Sequence, residues 1–101
     1  MSRRSAEAHA RIVAEIVREK AATLGRAGER LEASLAAVAE IARAWCAADD
    51  APARAPLAGA YERAWHAAEA ARQTLLIQRA AVGLRHHRDM DVQFPRPPRR
   101  L

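Results

Sequence analysis

Few side chains in this chain could do chemistry, and they lie far apart. Lys20 is the single lysine beside 16 arginines, and it falls on an apolar stripe. A lysine held in a dry setting sheds its proton readily and can act as a nucleophile or base. Its four-carbon stem equally suits lying along a helix seam with the ammonium in water. No catalytic partner stands at a useful spacing, so the seam role is expected. His86, His87, Asp89 and Asp91 form a short cluster, with His9 a candidate neighbour across a folded hairpin. Imidazole and carboxylate are metal ligands. Adjacent histidines on a helix, however, point about 100° apart, and neither HExxH nor ExxH is present, so a solvated helix end is expected. Cys46 is the lone cysteine; it allows no internal disulfide and fits a reducing cytosol. With no activating neighbour in sequence it reads as a buried, inert thiol. Serines 2, 5 and 34 lie outside any GxSxG setting. No catalytic, cofactor-binding or metal-ligating residue is therefore assigned.

Gly25 and Gly28 interrupt strong helix-forming sequence, at a cost of about 1 kcal/mol each relative to Ala. The spacing fails the phosphate-binding pattern GxxxxGK[ST], and no strand precedes it. The expectation is that these glycines give room to a bulky stretch of a partner helix, Leu75, Leu76 and Ile77.

Arg72, Arg79, Arg85 and Arg88 are a possible basic patch, and the formal charge of +5 invites a nucleic-acid reading. Residues 5–48 nevertheless balance six basic groups with six acidic ones. Only four residues are aromatic, and no nucleic-acid module is recognisable. Glu32 opposite Arg72, as a flanking ion pair, is the expected use. The closing PRPPRR is a PxxP segment of the kind that docks on aromatic grooves; a self-packing or disordered tail is preferred.

The elements that must carry these residues are helices. Half of the 101 residues are apolar, but 27 of them are alanine, so any core is thin. Small or apolar residues fall at 13, 17, 20, 24, 27, 31, 35, 38, 42 and 45, a heptad-like stripe. The glycines coincide with a local break in its rhythm, where the first helix could bend. Ser5 is a candidate N-cap. DDAPARAP, residues 49–56, is the turn. The resulting fold class is all-α: an antiparallel hairpin of helices over about 5–48 and 55–88, forming a domain 1–88. An extended Pro/Arg-rich tail over 89–101 follows. With the turn centred near 51–52, facing residues have numbers that sum to about 103. The first helix then outruns the second, and Ile12, Val13, Ile16 and Val17 lose cover. Either the tail, through Met90, Val92 and Phe94, or a second subunit must supply it. No apolar run is long enough for a membrane span, and the interrupted opening residues do not read as a signal peptide.

The segment EKAATLGRAGERLEASL, the following AW and the later QRAAVGLRHH resemble a family of short, uncharacterised helical bacterial proteins. There an EK…LGR.G..LE segment precedes a QR…GLR.H segment. The matching positions are Glu19, Lys20, Leu24, Gly25, Arg26, Gly28, Leu31, Glu32, Gln78, Arg79, Gly83, Leu84, Arg85 and His87. The resemblance implies that the two segments face each other across the hairpin. It supplies no activity.

The function expected from all this is non-enzymatic: a cytoplasmic helical protein that self-associates, as a homodimeric four-helix bundle, or binds another protein. Its contact surface would comprise Ile12, Val13, Ile16, Val17, Leu24, Gly25, Gly28, Leu75, Leu76 and Ile77. The alternatives are a small basic nucleic-acid-associated protein, or a metal or small-molecule site around Lys20, His86 and His87.

Overall fold

The computed structural model describes residues 2–101. Ser2 begins the first helix: its hydroxyl accepts the Ser5 N–H at 3.1 Å, and α1 runs without interruption from Arg3–Ala47. The cap is thus Ser2, three residues before the expected Ser5, and Gly25 and Gly28 produce no break. Ala48 and Asp50 are extended, and between them the chain reverses. The Asp50 carboxylate then accepts the Ala53 N–H at 2.8 Å and caps α2, Ala51–Ala81. Pro52 suits the first turn of this helix, where backbone N–H groups lack partners anyway, while Pro56 lies inside it. The helix therefore starts four residues earlier than expected.

It also stops seven residues earlier. Gly83 adopts φ +90°, which disfavours any residue carrying a Cβ. The Leu84 N–H reaches the Arg79 carbonyl at 2.9 Å and the Gly83 N–H reaches Ala80 at 3.0 Å. These two bonds close a Schellman motif, which satisfies the orphan carbonyls and redirects the chain. Residues 89–101 are not one extended tail either. Arg88–Gln93 form a short helix, α3, because Met90 and Phe94, four residues apart, both find apolar cover.

α1 and α2 pack as the expected hairpin, with Leu31 and Val38 of α1 against Ala71, Leu75, Tyr61 and Ala68 of α2. Their numbers follow the facing sum near 103. The core is thin, as alanine-rich faces require, and a third layer completes it. Met90 is fully buried among Ala27, Leu31, Ala71 and Leu75, and Phe94 packs on the same cluster. Gln93, Phe94 and Pro95 also line a shallow pocket with Glu32, Leu35 and Ala36. The molecule is a rod with principal extents of 74 × 22 × 15 Å.

Neither Gly25 nor Gly28 makes room for anything: a Cβ built at either meets no atom within 4 Å. The bulk of Leu75 and Leu76 is taken up by Ala27, Leu31, Met90 and Phe94. Gly25→Ala and Gly28→Ala are each expected to raise unfolding free energy, by up to about 1 kcal/mol, whereas Gly83→Ala lowers it because its φ is positive. Urea denaturation of the three variants checks the contrast.

Candidate functional site

Two surfaces stand out, at opposite ends of the rod. The first is the N-terminal arm of α1. With α2 ending at Ala81, the facing sum leaves residues 3–21 alone, about 28 Å of helix. Every residue from 9 to 22 is exposed. Ile12, Val13, Ile16 and Val17 are 56%, 45%, 49% and 60% exposed. Val13 and Val17 continue the same stripe that, further along, buries Ala27, Leu31 and Val38 under α2. The tail does not cover them: Met90 and Phe94 are spent on the hairpin core, and Val92 points outward, 77% exposed.

The remaining residues expected on this surface divide. Leu24 and Leu76 are half-buried against the core and Leu75 is inside it. Ile77 is exposed, Gly25 lies open and Gly28 is partly covered. Lys20 lies open on the bare arm, so its seam has no partner. Gln78 sits beside Thr23 and Arg26, so the LGR.G and QR segments do adjoin.

The second surface is a clasp between α2 and the chain's end. Arg72 is its root. It is 2% exposed, the only buried charged residue among those described. Its Nη2 donates to the Phe94 carbonyl at 2.6 Å. Asp91 lies 3.6 Å from Nη1 and Glu69 3.8 Å from Nε. Glu32 is not its partner, because α3 and Phe94 occupy the space where that pair was expected. Further along α2, the Trp65 indole N–H donates to the Pro97 carbonyl at 3.3 Å and the Tyr61 hydroxyl donates to the Pro98 carbonyl. The Arg99 guanidinium lies 4.5 Å from the Trp65 ring centroid. It grips Glu62 with two hydrogen bonds of 2.8 and 2.7 Å. His66 adds a contact to Glu62 at 2.9 Å. Arg99, first, and His66 hold the Glu62 carboxyl down at about 2, and Glu62 holds Arg99 above its usual range.

The basic patch is dispersed. Arg72 is buried, and Arg79 is engaged by the His86 carbonyl at 3.0 Å and by Asp89 at 2.9 Å. Arg85 and Arg88 remain exposed on a cleft of about 800 Å³ at the elbow before α3. His86 lines that cleft too, and His87 stands at the N-cap position of α3 without a side-chain capping bond. No group of three or more His, Cys, Asp or Glu among the described residues is arranged to hold a metal ion. Cys46 is exposed rather than buried, since the hairpin turn leaves the last residues of α1 open. No described helix is long and apolar enough to cross a membrane.

The clasp was missed in the sequence, although its signals were there. Three prolines deprive the tail of donors, so its carbonyls need donors from elsewhere. Arg72, Trp65 and Tyr61 fall at seven- and four-residue steps along one face of α2.

Arg72→Met keeps the stem but removes the bond to Phe94. A hydrogen bond to a charged group contributes about 1.5–3 kcal/mol, so amide protection of α3 should fall roughly ten- to a hundredfold in hydrogen exchange. Protection in α2 should fall less. The Glu62 carboxyl titrates lower docked than free, so docking is complete above the ordinary carboxyl value of 4.5 and weakens as pH falls towards about 2. The Trp65 indole N–H resonance, followed through an acid titration, reads this out; docking that persists unchanged to pH 2 contradicts it.

No protein-family model, no curated protein and no solved structure matches this chain at a significant level.

Proposed function

We propose that this protein is a non-enzymatic helical interaction module that pairs with a second copy of itself through the N-terminal arm of α1. The observation carrying this reading is the uncovered continuation of the core stripe. Val13 and Val17 belong to the face that α2 buries elsewhere, and Ile12 and Ile16 widen it, yet α2 stops at Ala81. Most helical stability in proteins comes from packing of an apolar face, so a partner also supports the arm's own helicity.

An antiparallel arm-to-arm contact fits best. A second arm running opposite to α1 follows the direction of α2 and takes the place α2 vacates. Opposed helix dipoles also favour it. With the contact centred between residues 14 and 15, Ile12 faces Val17 and Val13 faces Ile16. The hairpin bodies then point away from each other. A full-length four-helix bundle would need apolar faces along the whole rod. Instead most of the exposed large aliphatics, Ile77, Val82 and Leu84 among them, gather at the arm end of the hairpin, with Leu101 alone beside Trp45 at the other end. The exposed lone thiol of Cys46 is compatible with a reducing cytosol.

Eight half-exposed aliphatic side chains contribute on the order of 10 kcal/mol when covered. Association costs about 4–15 kcal/mol. The pair is therefore weak and concentration-dependent. Light scattering after size exclusion should show mass rising towards twice the 11.1 kDa of one chain across the micromolar range. Ile16→Asp should hold the chain at single mass while leaving the hairpin's helicity in place. A wild-type chain that stays single at high concentration defeats the proposal.

A further inference from the structure

The chain's last residues behave as a bound ligand and not as part of the core. Met90 is buried and Phe94 half-buried. From Pro95 onward no residue is buried, and only Pro97 is even partly covered. Residues 95–101 thus bury no side chain of their own, and of the hydrophobic core they touch Tyr61, 3% exposed, through the Pro98 carbonyl. What holds them is polar and directional. A segment with prolines at 95, 97 and 98 offers carbonyls and few N–H groups. The facing side of α2 offers donors: the Trp65 indole N–H for the Pro97 carbonyl and the Tyr61 hydroxyl for the Pro98 carbonyl. Glu62 takes the arginine that follows the prolines in a two-bond grip, and Trp65 stacks beneath that arginine. From Phe94 to Pro97 the tail covers about 9 Å at a polyproline rise. From Arg72 to Trp65 α2 covers about 10 Å. That one interval matches, while Tyr61, about 6 Å before Trp65 along α2, bonds the very next carbonyl, that of Pro98.

We propose that the Tyr61, Glu62 and Trp65 face of α2 is a recognition site for arginine-flanked proline segments. In this structure the chain's own tail fills it, and a proline–arginine segment of another protein displaces that tail. Aromatic donors for proline carbonyls, with an acid for the neighbouring arginine, are the physical requirements of polyproline recognition. A tethered ligand competes at an effective concentration of roughly millimolar, so the tail keeps the site closed to weak ligands. The inference is independent of the arm: Val38, which packs with Tyr61, lies about 30 Å along α1 from Val17.

The test uses the full-length chain and a synthetic peptide of sequence FPRPPRRL, residues 94–101. Arg99→Glu sets like charges at 62 and 99 and should free the tail, shifting the Trp65 indole N–H resonance while helicity is retained. Added peptide should bind this variant saturably and return the resonance to its wild-type position. Wild type should need at least tenfold more peptide. A doubly substituted chain, Glu62→Arg with Arg99→Glu, should close again by the reversed pair and reject the peptide. A peptide with both central prolines replaced by alanine should bind at least tenfold more weakly. Four results overturn the proposal. The first is an Arg99→Glu chain whose indole does not shift, and the second is one that loses helicity. The third is a freed site that ignores millimolar peptide, and the fourth is equal binding of the alanine peptide.

Discussion

The buried guanidinium of Arg72 is the constraint on which the arrangement turns. A charge withdrawn from water costs several kcal/mol unless it is compensated nearby. Compensation arrives from three parts of the chain: Glu69 one turn earlier on α2, Asp91 on α3, and the Phe94 carbonyl at the end of α3. The hairpin alone supplies only the first, at 3.8 Å. Burying Arg72 therefore requires α3 to be docked. Docking α3 in turn brings Met90 into the core. Polar and apolar requirements are met by the same movement, which ties the third layer to the other two.

Alanine explains why a third layer is needed. Ala27, Ala68 and Ala71 are buried and let the two long helices approach closely, but each removes little apolar area from water. Met90 and Phe94 supply volume that the facing helices lack. A helix of six residues has no stability of its own; α3 exists because of what it covers.

The ends of the rod differ because α1 and α2 differ in length, 45 residues against 31. Gly83 fixes that difference by ending α2 with a Schellman turn. At one end this leaves an aliphatic face whose attraction is non-directional and scales with area. At the other end the contacts are hydrogen bonds and an ion pair, which select by geometry. A weak symmetric contact and a selective peptide site are different physical devices, and the molecule keeps them about 30 Å apart.

The hairpin was legible in the sequence because its signals are local. The stripe from Val13 to Trp45 and the turn signal in residues 49–56 encode two helices and a reversal, and the facing sum gives their register, although the second helix starts inside that turn segment. The bare arm followed from helix lengths alone. The end of α2 was legible too, in Val82–Gly83–Leu84, but unbroken helix propensity through His87 outweighed one glycine in that reading. The roles of Gly25, Gly28, Arg72 and the tail were not legible. Whether a glycine makes room, or an arginine faces water, depends on what a segment roughly twenty to fifty residues away does. Residues 88–101 have no periodicity strong enough to say where they go. Sequence alone determined the helices, their direction and their mismatch, because capping and periodicity act over a few residues. Only the tertiary structure decided that the tail folds back on α2, because that choice rests on donors and acceptors that meet across more than thirty residues of chain.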